Sequence, residues 1–83
     1  MANSLTKLTQ HERGLLRQLT SQRAPALLGL VDSLGEKPLS GEQREDLREV
    51  LLQEMLERGL DGDDEPNPYG RLLDDMIGRL RHY

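Results

Sequence analysis

Leucine supplies nearly all the large apolar side chains of this chain. There are 18 leucines, against six Val, Ile and Thr residues together and no Phe or Trp. Strands are built from β-branched and aromatic residues, whereas Leu with Glu, Arg, Gln and Lys favours helix. The chain is therefore expected to be all-α, a single compact four-helix bundle with a short second helix. Its core must be leucines, supplemented by Val31, Val50, Met55, Met76 and Ile77. Each fully buried Leu contributes roughly 1.5–3 kcal/mol, so a small bundle is feasible with little reserve against conformational entropy.

All 83 residues are expected to form one helical domain. The absence of Cys excludes a disulfide scaffold, a thiolate zinc site and a cysteine nucleophile. The longest apolar run, around Ala26 to Val31, is too short to cross a membrane. The opening segment MANSLTKLTQHERG contains no apolar signal region. A cytoplasmic protein, with no membrane contact, is the expectation.

Punctuation along the chain marks four helices. The first is predicted over about residues 6 to 22, from Leu5, Leu8, Leu15, Leu16 and Leu19 at three-and-four spacing, with Glu12 at the one missing step. Thr9 and Glu12 have capping-box spacing, which offers Gln10 as a later start. Pro25 ends this segment and opens a second helix, predicted over about 25 to 34, with Gly35 as its stop. Ser40 and Gln43 form a second capping box, and Glu42 opposes the dipole of a third helix running to about Arg58. Gly59 and Leu60 have the spacing of a Schellman motif. Asp61 to Pro68 is an acidic loop rich in Pro and Gly. Asn67 and Pro68 then read as N-cap and first residue of a fourth helix over about 68 to 81. Its stripe is Tyr69, Leu72, Leu73, Met76, Ile77 and Leu80.

Charge is unevenly placed. Through Val31 there are four bases and one acid; thereafter there are 14 acids and seven bases. On the third helix Glu42, Glu45, Asp46, Glu49, Gln53 and Glu57 share one side, leading into Asp61, Asp63, Asp64 and Glu65. Arg44, Arg48 and Arg58 fall on another side and are expected to leave the stripe unneutralised. Such a stripe is either a solvated face or a docking surface for a basic protein. Duplex nucleic acid would be repelled by it. The partner-binding residues it nominates are Glu45, Asp46, Glu49, Asp63, Asp64 and Glu65. Tyr69 joins them, either as an aromatic anchor framed by acids or as a core-edge residue with its hydroxyl in water.

A second reading concerns Leu52, Leu56 and Leu60. They widen the apolar arc of the third helix beyond half its circumference, which a single contact face does not require. A helix flanked on both sides would account for it. If these leucines are exposed instead, they form a homodimer seam.

Chemistry has little to stand on. Calcium loops need Gly at position 6 and Glu at position 12. Counted from Asp61 those positions are Pro66 and Leu72, and from Asp63 they are Pro68 and Asp74. His11 and His82 lie in different helices, the latter at an end expected to fray. Ser4, Ser21, Ser33 and Ser40 read as caps and turn residues. Four short helices can hardly spare the several hundred Å³ of enclosed volume that a small-molecule pocket needs. No catalytic residue, metal or cofactor is expected, and the chain reads as non-enzymatic.

The segment Gly62-Asp63-Asp64-Glu65-Pro66-Asn67-Pro68-Tyr69-Gly70, running into an amphipathic helix, resembles small bacterial toxin-immunity proteins of the DNase-colicin type. Those are acidic four-helix domains with an acidic, proline-containing loop before the last helix. The resemblance covers the loop and last helix only. It implies a protein that caps a basic nuclease toxin with acidic side chains. The paired tyrosines which that family presents on its third helix have no counterpart here, so only the idea of an acidic docking face carries over.

Overall fold

The computed structural model describes residues 7–63 and 65–83. Among the described residues four α-helices follow one another: α1 (Gln10–Arg23), α2 (Leu28–Asp32), α3 (Gly41–Arg58) and α4 (Pro68–Leu80). Among the described residues there is no strand, only isolated bridges at Leu34–Lys37 and Leu60–Pro66. The all-α expectation holds. The radius of gyration is 12.5 Å, close to the roughly 12 Å of a compact chain this long. No helix of the described residues is long and apolar enough to cross a membrane.

Reciprocal capping boxes set two helix starts. The Glu12 amide donates to Thr9 Oγ1 at 3.1 Å and the Thr9 amide donates back to Glu12 Oε1 at 2.8 Å. This box starts α1 at Gln10, four residues later than the apolar spacing alone suggests. Leu5 lies outside the described residues. Ser40 and Gln43 make the matching box for α3, both bonds at 3.0 Å.

The second helix is shorter than expected. Pro25–Leu27 forms a 3-10 turn, and only Leu28–Asp32 is α-helical. Without side-chain caps or acidic first-turn residues, little holds a longer helix there. Gly35 ends the segment at φ +90°, a conformation that favours glycine.

The core joins Leu16 and Leu19 of α1, Val31 of α2, Leu47, Val50 and Leu51 of α3, and Leu73, Met76 and Leu80 of α4. Leu8, Leu34, Leu39 and Tyr83 close its ends. Tyr83, next to His82 where fraying is expected, is anchored. The Tyr83 side chain is buried. Its hydroxyl accepts from the Leu8 amide at 3.0 Å, and its carbonyl accepts from the Leu39 amide at 2.8 Å. Lys7 Nζ sits 4.7 Å above its ring. One tyrosine therefore ties three separate stretches of chain together.

The α3–α4 corner departs from the Schellman expectation. Gly59 has φ −96° and ψ 0°, not a left-handed conformation. What demands glycine there is proximity. A Cβ on Gly59 would stand 2.9 Å from Gly70 Cα, and a Cβ on Gly70 would stand 2.0 Å from the Gly59 carbonyl oxygen. Asn67 fastens this contact. Its amide donates to Gly59 O at 2.9 Å, its Nδ2 donates to Arg58 O at 3.0 Å, and its Oδ1 accepts from the Gly70 amide at 2.7 Å.

Candidate partner interface

Helix α3 divides cleanly. Leu47, Val50, Leu51 and Glu54 face inward. Glu42, Glu45, Asp46, Glu49, Gln53 and Glu57 are all exposed, as the sequence stripe requires. At 1.5 Å per residue they extend over about 22 Å of helix. The loop acids Asp61, Asp63 and Glu65 are exposed as well, while Asp64 lies outside the described residues. The loop is tethered at its base: the Asp61 amide donates to Glu65 O at 2.7 Å.

The stripe is not free of counter-charge, which corrects one expectation. Arg48 Nη1 reaches both carboxylate oxygens of Glu45, at 3.0 and 3.2 Å. Arg23, arriving from α1, reaches Glu57 at 2.8 Å. Glu49 accepts from Gln53 Nε2 at 2.9 Å but has no cation. Among the described residues, Glu42, Asp46, Glu49, Asp61, Asp63 and Glu65 make no ion pair. The unpaired field thus lies on Glu42, Asp46 and Glu49 and on the loop, with Glu45 half neutralised.

Tyr69 falls between its two expected settings. It is half-buried, and its hydroxyl donates to Glu54 Oε2 at 2.7 Å instead of pointing into water. Glu54 also binds Arg23 Nη2 at 2.6 Å. Arg23, Glu54 and Tyr69 therefore link α1, α3 and α4 through one carboxylate whose side chain is only 4% exposed. Burial pushes the Glu54 carboxyl up, but hydrogen bonds from Arg23 and Tyr69 outweigh it and hold the group below the usual carboxylate range. Burial, together with the bond to Glu54, pushes the Tyr69 hydroxyl up to about 12. The hydrogen bond from Arg23 likewise lowers Glu57. Among the residues singled out, Tyr69 is the one most committed to the interior.

Sequence spacing carried a signal for Glu54 that the surrounding acids masked. It lies four residues after Val50 and three after Leu51, on the inward arc. Arg23, 31 residues away, carried none.

The leucine arc also resolves. Helix α3 packs against both α4 and α1, so the flanked-helix expectation is right for most of the arc. Leu52 and Leu60 are half-buried, but Leu56 is 67% exposed. It is the exposed large apolar side chain among the described residues. At 100° per residue it falls within about 20° of both Glu45 and Glu49, two turns beyond the latter. An apolar side chain, the unpaired Glu49 and the Arg48-paired Glu45 thus share the outward face of α3.

No group of three or more potential metal ligands comes together among the described residues. Between α3 and α4 lies a groove of about 740 Å³, open to solvent and not an enclosed pocket. His11 and His82 are both exposed, in separate parts of the chain. The sequence matches no family model, no curated protein and no solved structure. Function must therefore be argued from the side chains themselves.

Proposed function

We propose that this chain is a non-enzymatic protein–protein interaction module that docks a basic protein on the outward face of α3 and the loop after it. The observation that carries the reading is Leu56, a large apolar side chain left in water on the same outward arc of α3 as Glu49, a carboxylate with no internal cation. Interfaces gain affinity from an apolar anchor that becomes desolvated at their centre. Charges around it raise the association rate and select the partner. Asp46 and Glu49 steer and pair with Lys or Arg, Glu45 contributes after releasing Arg48, and Asp63, Asp64 and Glu65 extend the field. Tyr69 supports the face from beneath, by holding Glu54.

The sharper form of the proposal is an immunity protein or inhibitor that caps a basic nuclease toxin in the cytoplasm. It rests on the resemblance of the acidic loop and last helix to such proteins. Nucleic acid and membrane are not partners in this reading. A homodimer through Leu56 is the alternative, which the same exposed side chain favours. The acids beside it oppose that alternative, because a second copy would bring like charge to like charge.

The test is capture from source-cell lysate by wild type and by a Glu45→Lys, Asp46→Lys, Glu49→Lys variant with a matched melting point. A stoichiometric basic protein retained by wild type and lost by the variant supports docking. Identical capture by both baits refutes it. Light scattering over a concentration series decides the alternative: a monomer at every concentration excludes the homodimer.

A further inference from the structure

We propose that the open groove between α3 and α4 is an oxyanion site, in which Arg44 and Arg81 hold a carboxylate or phosphate group. This site adjoins the acidic stripe at Glu45 and Arg48, but its proposed ligands, Arg44 and Arg81, do not belong to the stripe. Three of the chain's arginines, Arg44, Arg48 and Arg81, line this one groove, in a protein whose net charge is −4. Two carboxylates also line it, Glu45 and Asp74. Glu45 is occupied by Arg48 at 3.0 Å. Asp74 lies seven residues before Arg81 on the α4 segment, roughly 10 Å along the axis, and makes no ion pair among the described residues. Arg44 and Arg81 likewise have no carboxylate partner among the described residues.

Arg44 is the unusual member. It is half-buried, its Nη2 donates to the Leu39 carbonyl at 3.3 Å, and its Nε is buried with no acceptor. A guanidinium partly removed from water, with an orphaned N–H and no counter-charge, is a costly arrangement. An oxyanion from outside the chain would supply the missing counter-charge. The planar donor fork of Arg suits carboxylate and phosphate oxygens. Half-buried Ile77 gives the groove an apolar wall. The dipole ends nearby offset one another, since α3 begins and α4 ends beside the groove. Selectivity for an anion therefore comes from the guanidinium groups.

Arginine side-chain NMR resonances, followed while inorganic phosphate or succinate is added against sodium chloride at equal ionic strength, test this. The expected result is saturable shifts centred on Arg44 and Arg81 with at least one of the two oxyanions and none with chloride. Response to phosphate alone identifies a phosphoryl group as the ligand, and response to succinate alone identifies a carboxylate. Arg81→Gln, at an exposed position that leaves the Arg44–Leu39 bond in place, should weaken binding about tenfold, equivalent to one decade of Kd. Arg71→Gln, outside the groove, should leave it unchanged. Shifts that fail to saturate, shifts equally large in chloride, or an Arg81→Gln variant that binds like wild type would overturn the assignment.

Discussion

Replacing Gly70 with Ala should damage this protein far more than its single methyl suggests. The new Cβ would stand 2.0 Å from the Gly59 carbonyl oxygen and 2.9 Å from its carbon. Carbon–oxygen contacts ordinarily begin near about 3.3 Å. The two backbones must therefore part by about 1.3 Å, and both atoms belong to main chain that cannot rotate away. Overpacking of this kind costs roughly 1–3 kcal/mol. The same movement stretches the Asn67 bonds to Gly59 O and Arg58 O, at 2.9 and 3.0 Å. Losing one of them adds about 1 kcal/mol. The expected net loss is about 3 kcal/mol, a large share of the roughly 4–12 kcal/mol available to a domain of this length. Gly78, in the same helix, has nothing within 4 Å of an added Cβ. Gly78→Ala should stabilise by roughly 0.5–1 kcal/mol through helix propensity. Urea unfolding of both variants measures the contrast. In a melting experiment Gly70→Ala should fall by at least about 12 °C, since 1 kcal/mol corresponds to 4 °C or more at this size. If Gly70→Ala stays within 1 kcal/mol of wild type by that scale, or both variants move the same way, the close-contact explanation of Gly59 and Gly70 is wrong.

Three further outcomes follow from named contacts. Arg23→Gln leaves the Glu54 carboxylate, 4% exposed, with Tyr69 as its remaining side-chain partner. A loss of about 3 kcal/mol in denaturant unfolding is expected, whereas Arg17→Gln, which breaks a pair more than half exposed on both sides, should cost under about 1 kcal/mol. The pH profile should have two flanks. The folded-state pKa of Glu54 is depressed, so its contribution is present above the ordinary Glu value near 4.3 and declines as the pH falls below it. That of Tyr69 is raised to about 12, so its contribution is complete below the ordinary Tyr value near 10 and is lost as the pH rises through about 12. Tyr69→Phe should remove the late-titrating tyrosinate absorbance and flatten the alkaline flank; an unchanged flank would assign it to other groups. Tyr83→Phe removes the acceptor of the Leu8 amide and should cost about 1 kcal/mol, with faster hydrogen exchange at Leu8.

The parts of this fold that were legible in sequence are those governed by neighbours within four residues. Ser40 with Gln43 and Asn67 with Pro68 each fixed a helix start, and Thr9 with Glu12 offered the right one beside an earlier start near residue 6, because a cap is a local hydrogen bond. The inward stripe of α4 was equally legible, because periodicity alone sets it. What was not legible depends on pairing across the chain. Gly59 reads as a helix terminator, and only the approach of Gly70 explains it. Glu54 reads as one more acid in an acidic stretch until Arg23 and Tyr69 are brought to it. Tyr83 reads as an end residue until Leu8 and Leu39 supply its partners. For the docking face, the outward placement of Asp46 and Glu49 followed from helical spacing. The neutralisation of Glu45 turned on the side chain of Arg48, and that of Glu57 on a residue of α1. Leu56 was recognisable only as an excess in the apolar arc, since sequence does not say where α1 and α4 stop covering α3.

The most direct test of the docking account is calorimetric binding of the captured basic partner to Leu56→Ser, beside wild type. Leu56 is exposed, so the variant should melt within about 0.5 kcal/mol of wild type. Its affinity should fall at least tenfold, or about 1.4 kcal/mol. Wild-type affinity in a stably folded Leu56→Ser chain would contradict the docking account and move the interface off the outward face of α3.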